Sequence, residues 1–255
     1  MIFLIYFSLV HTANNNMTQP TLVLVCKRPA LGVGKQRLAA RIGQETALKI
    51  AEALLACTME DVLAWSGTVV IAPADAKDCQ WATNIFKQTH TDVKVLPQVG
   101  GNLGQRLNAL DCALRSRGFN QLIYIGSDAP DIGITDYIAV SDAFLNVDTM
   151  LKPTIDGGVS IMASCKPWPD LTHLPWSTSQ LGDGLSLLCQ QNGHVIGKLP
   201  MGFDVDELED LSYLVVKLAQ DQRPARRALL ALARQIIQQK TSKQKVMMPS
   251  EGRYA

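Results

Sequence analysis

Short apolar runs alternate along this chain with segments whose hydrophobic residues recur every three to four positions. Thr21 to Cys26 predicts a strand, after which Ala47, Ala51, Leu54, Leu55, Thr58, Met59 and Val62 mark one face of a helix. Strands at Thr68 to Ala72, Val93 to Leu96 and Leu122 to Ile125 follow. Each is succeeded by a helical segment, at Ala76 to Gln88, Leu103 to Arg117 and Ile134 to Asn146. This rhythm predicts an α/β fold in one domain, a Rossmann-like, doubly wound and mostly parallel sheet joined by right-handed crossovers. Beyond Asn146 it changes. Thr149 to Thr154 and Val159 to Ser164 are strand-like pieces around Asp156-Gly157-Gly158, and Pro167 to Trp176 reads as a long loop. A helix from Ser177 to Gln191, a strand from His194 to Leu199 and two closing helices complete the pattern.

The ends of the chain depart from it. Ile2 to Val10 is apolar but far shorter than the ~20 residues that span a bilayer. It lacks a basic leader and a small-residue cleavage site, so residues 1–16 are expected to be an extension and Met17 the start of the domain. The domain is expected over 17–240, with 241–255 as a flexible polar tail. With 255 residues, 47% of them hydrophobic, the chain can bury a large core. Lys plus Arg is 24 against 23 Asp plus Glu, which argues against a nucleic-acid partner and makes any phosphate site local. Cys26, Cys57, Cys79, Cys112, Cys165 and Cys189 form no C-x-x-C pair and suit buried thiols of a reduced, cytoplasmic protein without stable membrane insertion. No histidine arrangement for a metal or a catalytic triad is visible.

Chemistry is expected where strands end. Leu122 to Ile125 runs into Gly126-Ser127-Asp128-Ala129-Pro130-Asp131, and ligands of open α/β sheets sit beyond the carboxyl ends of strands. Asp128 is therefore a candidate for a substrate or its divalent metal; the alternative is that Asp128 or Asp131 caps the next helix. Lys27 to Leu38 follows the first strand. Its Gly32 and Gly34 permit close backbone approach, and Lys35 and Arg37 are placed to meet phosphate oxygens, although a solvated basic loop has the same composition. A Walker A motif is ruled out by Pro29 and Gln36. In Gln98 to Leu107 the glycines suit a nucleoside or phosphate and Arg106 an anion, while a plain β-to-α turn explains them as well. Asp156-Gly157-Gly158 could present Asp156 to a metal or an acceptor hydroxyl, but locally a tight Asp-Gly hairpin turn is favoured. Asp206 is a metal ligand or a helix N-cap.

Taken in order, Lys-x-Pro-x-x-Gly-x-x-Lys-x-Arg-Leu at 27–38, Gly-x-Leu-Gly-x-Arg-Leu at 101–107, Gly-Ser-Asp-x-Pro-Asp at 126–131, Pro-x-x-Asp-Gly-Gly at 153–158, Trp-x-Thr at 176–178 and Asp-Val-Asp at 204–206 resemble the DUF2064 group of glycosyltransferase-like proteins. That group lies within the GT-A, or nucleotide-diphospho-sugar transferase, superfamily. The resemblance implies a GT-A-like fold and a nucleotide held with Mg²⁺ or Mn²⁺, with Asp128 and Asp206 as metal ligands and Asp128 and Asp156 as catalytic carboxylates. Lys27, Gly32, Lys35, Arg37, Gly101, Gly104 and Arg106 would form the nucleotide and phosphate site. The expected activity is transfer from a nucleotide-activated donor, either glycosyl transfer from a nucleotide sugar or nucleotidyl transfer from a triphosphate, to an acceptor the sequence does not identify; oligomeric state is equally unspecified. The family shows Gly and Tyr where this chain has Lys152 and Val159. An ammonium at 152 is expected to neutralise Asp156 or take a cation's place, so the alternative is a non-catalytic nucleotide-binding protein with a degenerate acceptor site.

Overall fold

The computed structural model describes residues 19–85 and 93–247. The extension at 1–16 and the proposed start at Met17 lie outside the described residues, as do 86–88 of the helix predicted over 76–88 and 248–255 of the predicted tail. One seven-stranded sheet organises the chain in the order β3-β2-β1-β4-β6-β5-β7. Strand β1 (Thr21–Cys26) lies inside the sheet, flanked in parallel by β2 (Val69–Pro73) and β4 (Leu122–Ile125), with β3 (Val93–Val95) parallel at one edge. On the other side β6 (Val159–Ser164) runs antiparallel to β4 and to β5 (Thr149–Pro153), and β7 (Ile196–Lys198) pairs in parallel with β5. The sheet is thus mostly parallel with one reversed strand, as expected of this fold class.

The strands are apolar on both faces because both are covered. Leu22 and Leu24 of β1 pack with Leu55 and Val62 of α2 (Gln44–Ala64) and Tyr137 of α5 (Ile134–Ala143). Val23, one residue out of phase, packs on the opposite face with Leu107, Leu110 and Leu114 of α4 (Leu103–Arg115) and Leu185 of α6 (Leu181–Gln191). A third apolar cluster explains why α2 is hydrophobic around much of its girth. Its Ile50, Leu54 and Cys57 face α7 (Leu208–Lys217) and α8 (Pro224–Met247). A 3₁₀ turn, Ala76–Asp78, leads into α3 (Cys79–Ile85).

Two boundaries differ from the periodicity. Gly43, at φ +86°, breaks off a seven-residue α1 (Gln36–Ile42) from α2, a kink that a 3.6-residue repeat cannot reveal. Helix α8 continues to Met247, past the point where polar composition predicts a loose tail. No helix among the described residues is long and apolar enough to cross a membrane.

Candidate functional site

The carboxyl ends of β1 and β4 open into a cavity of about 480 Å³. Lys27 and Arg28 extend from β1 and Ser127 and Asp128 from β4. Leu103, Arg106 and Leu107 of α4 form one wall, and Val159 and Met162 of β6 with Trp176 and Ser177 form another. Gly126 makes room for its acid: a Cβ there would lie 2.7 Å from Asp128 Oδ1. The second acidic segment is tied to the first by its backbone, with the Val205 amide donating to the Asp128 carbonyl at 3.0 Å. Val205 is buried in the α1/α2/α7/α8 cluster, so in this extended stretch Asp204 and Asp206 point the other way.

Lys35 closes the group. Its Nζ lies 2.7 Å from Asp206 Oδ1 and 3.6 Å from Asp128 Oδ2, and its side chain is 12% exposed against 44% for Asp128 and 47% for Asp206. Burial alone would pull the Lys35 pKa down, but Asp128 and Asp206 more than offset it and raise it, so the group stays an ammonium. Asp204 feels the opposite balance. Burial, then the Asp128, Asp156 and Asp206 carboxylates, push it up to about 7 against the pull of Lys35. Cys26 also borders the cavity, but burial pushes its thiol up to about 12, which removes it as a nucleophile.

The capping alternatives for the two candidate acids do not hold. Helix α5 is capped at Gly133, whose amide donates to Asp136 Oδ2 at 3.1 Å, and neither Asp128 nor Asp131 takes part. Helix α7 is capped at Glu207, and Asp210 accepts from the amides of both Asp206 and Glu207, so the Asp206 carboxylate is free for Lys35.

Of the residues singled out in the sequence, Lys27, Lys35, Arg106, Asp128 and Asp206 border the cavity, whereas Gly32, Arg37, Gly101, Gly104 and Asp156 do not. Arg37 reaches outward to Glu207 at 3.4 Å, both side chains more than half exposed. Gly32 turns the loop at φ +73°, closed by Gln36 Nε2 donating to its carbonyl. Gly101, at φ +107°, offers its carbonyl to Arg106 Nε at 2.8 Å and so orients that guanidinium. Gly104 is a packing glycine: a Cβ there would meet the Leu171 carbonyl oxygen at 2.1 Å and Trp176 Nε1 at 2.8 Å. Asp156 sits in the β5–β6 turn, held by the Thr154 hydroxyl at 2.5 Å and the Gly158 amide at 2.9 Å, and Gly157 at φ +87° fits against the Ser179 carbonyl.

Lys152 does not neutralise Asp156. Alternation along β5 sends Leu151 to the α4/α6 face that holds the cavity, and Lys152 to the opposite face with Met150. There its Nζ pairs with Asp136 at 3.0 Å and Asp131 at 3.5 Å. Sequence reasoning missed Asp204, although the alternation of Asp-Val-Asp about a buried Val was the available signal. It also passed over Arg28, 3.7 Å from Asp78, and Gln98, whose Nε2 is fixed to the Ala72 carbonyl at 2.7 Å at the cavity edge.

A family described as "Uncharacterized protein conserved in bacteria (DUF2064)" matches residues 55–178, in line with the resemblance carried by the motifs. A comparison with curated proteins gave no match. Among solved structures, a provisionally named nucleotide-diphospho-sugar transferase from Desulfovibrio desulfuricans G20 superimposes with a TM-score of 0.75 at 19% identity, over 86% of this chain and 99% of that one. A cytidylyltransferase from Leptospira borgpetersenii serovar Hardjo-bovis (strain JB197) gives 0.50 at 13% identity, over 93% and 100%. Rv0371C from Mycobacterium tuberculosis H37Rv, in complex with manganese, gives 0.45 at 16%, over 77% and 97%. The first two establish the GT-A-like fold.

The donor set bears on the metal. Among the described residues no group of three or more His, Cys, Asp or Glu is arranged to hold an ion. Asp128 and Asp206 nevertheless present hard carboxylate oxygens to one point, the Lys35 ammonium. A pair of carboxylates suits Mg²⁺ or Mn²⁺, which complete their coordination with water and substrate phosphates.

Proposed function

We propose that this protein is a transferase acting on a nucleotide-activated donor bound in the cavity beyond β1 and β4. The observation that carries the reading is the convergence of Asp128 and Asp206 on one cation position in a cavity that Lys27, Arg28 and Arg106 also border. Asp128 and Asp206 would hold a Mg²⁺ or Mn²⁺, which when bound neutralises charge on donor phosphates. Lys27, Arg28 and Arg106 supply fixed positive charge to the diphosphate, and Lys35 adds an ammonium at its edge. Asp156 is the acceptor-side carboxylate. Its Oδ1 is locked in the turn, and it lies close enough to Asp204 to influence that group's ionisation.

Glycosyl transfer from a nucleotide sugar and nucleotidyl transfer from a triphosphate present the same charged diphosphate to these groups. The pairing of Lys152 with Asp131 and Asp136 speaks for a working acceptor side over a degenerate one, because the charge suspected of disabling Asp156 is engaged on the other face of the sheet. A thermal-shift panel of nucleotides and nucleotide sugars with and without Mn²⁺ tests the reading. A ligand at 100 times its Kd stabilises by about 2.7 kcal/mol. Asp128→Ala should abolish the metal-dependent part of that shift while the free protein stays folded; an equal shift in both proteins removes Asp128 from the site.

A further inference from the structure

Lys35 adopts a left-handed backbone conformation, φ 49° and ψ 35°, at the N-cap of α1, a conformation unfavourable for a side-chain-bearing residue. It provides no side-chain cap to the helix there. The conformation instead accompanies a mostly shielded ammonium paired with both acids of the proposed cation site. An ammonium and a divalent ion cannot share the same two carboxylates without strong repulsion. We propose that Lys35 is a resident counter-ion of the Asp128/Asp206 pair that competes with a divalent cation for it, and that donor phosphates ease the exchange by drawing the ammonium away, so that cation and phosphate bind as a coupled pair. The inference rests on the assignment of Asp128 and Asp206 to a cation in the proposed function.

The charges give the coupling its sign. With Lys35 on the acids, the trio carries one net negative charge and repels phosphate. With a divalent ion there instead, the acids are neutralised and Lys35 becomes available to phosphate as an additional positive charge. The flexible four-carbon stem of lysine allows the exchange. By linkage, phosphate must then raise cation affinity by the factor by which cation raises phosphate affinity.

The decisive experiment measures Mn²⁺ binding in phosphate-free buffer from the spectroscopic signal of free aqueous Mn²⁺. Lys35→Met should tighten Mn²⁺ at least tenfold over the wild type, Lys35→Gln should act in the same direction, and Asp128→Asn should weaken it. Lys27→Met, which removes a cavity charge outside the acid pair, should change affinity by less than about threefold. Unchanged or weaker Mn²⁺ binding in both Lys35 variants, with Asp128→Asn still weakening it, overturns the counter-ion role and leaves the cation site standing. Equal tightening by Lys27→Met and Lys35→Met overturns it too, because diffuse charge would then explain the effect. Absence of Mn²⁺ binding from every variant defeats the cation site itself and this inference with it. In EDTA, with inorganic tripolyphosphate as the probe, Asp206→Asn should bind more tightly than wild type by releasing Lys35; equal or weaker binding counts against the exchange.

Discussion

Gly104→Ala separates two roles for a glycine that the motif pattern places at a phosphate. Gly104 is in the first turn of α4, and an added methyl would stand 2.1 Å from the Leu171 carbonyl oxygen, 2.5 Å from its carbon and 2.8 Å from Trp176 Nε1. Two of these atoms are backbone, so rotamer change cannot relieve the contact and the 171–176 segment must move. Overpacking of this kind costs about 1–3 kcal/mol. The hydrogen bond from Trp176 Nε1 to the Leu171 carbonyl, 2.9 Å long, lies in the same spot, and its loss adds about 1 kcal/mol. Against this, alanine gains at most about 1 kcal/mol in helix propensity, less in a first turn. The net loss is about 2 kcal/mol, or roughly 4–8 °C in Tm for a chain of this size. Thermal unfolding followed by tryptophan fluorescence reads both the stability and the displacement of Trp176, which borders the cavity. A variant as stable as wild type, with unchanged fluorescence and weakened nucleotide binding, would refute the packing role and restore Gly104 to the phosphate site.

Three further outcomes follow from the charge arrangement. Asp61→Asn strips Arg226, 1% exposed, of a carboxylate 2.5 Å away, and urea unfolding should show a loss of about 3–5 kcal/mol with no change in ligand specificity. Lys152→Met leaves Asp131 and Asp136 facing each other without their ammonium and should cost a similar amount, about 3–5 kcal/mol, while nucleotide affinity stays within about threefold; a large loss of binding in a folded Lys152→Met protein would place Lys152 in the site after all. His194 is buried beside the Thr149 hydroxyl, and burial outweighs Asp148 to hold its pKa below the usual value. The unfolded chain therefore takes up this proton first as pH falls through about 6.5, and the native state loses stability from there down to its own lower pKa. Comparing Tm at pH near 7.5 and 5.5, His194→Gln should show a smaller acid-induced drop than wild type.

The fold was legible because its strands announce themselves twice, by apolar runs and by the punctuation that follows. Thr21–Cys26, Leu122–Ile125 and Val159–Ser164 fall where the pattern puts them. The same pattern gave the buried face of α2 but not its second apolar side, since residues such as Ile50 and Cys57 bury against α8, an element far downstream whose docking leaves no local trace. At the site, Asp128 was legible from its place after a buried strand. Its partner Lys35 was assigned to phosphate, and the 171-residue separation between Lys35 and Asp206 is why no local spacing disclosed their contact. Lys152 was misjudged through sequence proximity: four residues from Asp156 along the chain, it pairs with Asp131 and Asp136 on the other side of the sheet, and the register shift between Lys152 and Pro153 breaks the two-residue period that would otherwise put 152 and 156 on one face.

Gly104 and Gly157 follow one physical logic, set by the 168–182 segment. This stretch packs over α4 at Gly104, where the Leu171 carbonyl takes the space of a side chain, and over the β5–β6 turn at Gly157, where the Ser179 carbonyl lies 2.0 Å from where a Cβ would stand. The Gly182 amide then donates to the Gly157 carbonyl at 2.9 Å and fixes the start of α6 on the same turn. Between these two seats the segment carries Trp176 and Ser177 into the cavity wall, the latter at φ +63°, a left-handed conformation that needs surrounding contacts to hold it. Gly104 and Gly157 therefore act one step removed from the cavity. They let a backbone segment approach closely enough to wall the cavity, and the shape of that wall is set by how firmly the segment is seated on α4 and the β5–β6 turn.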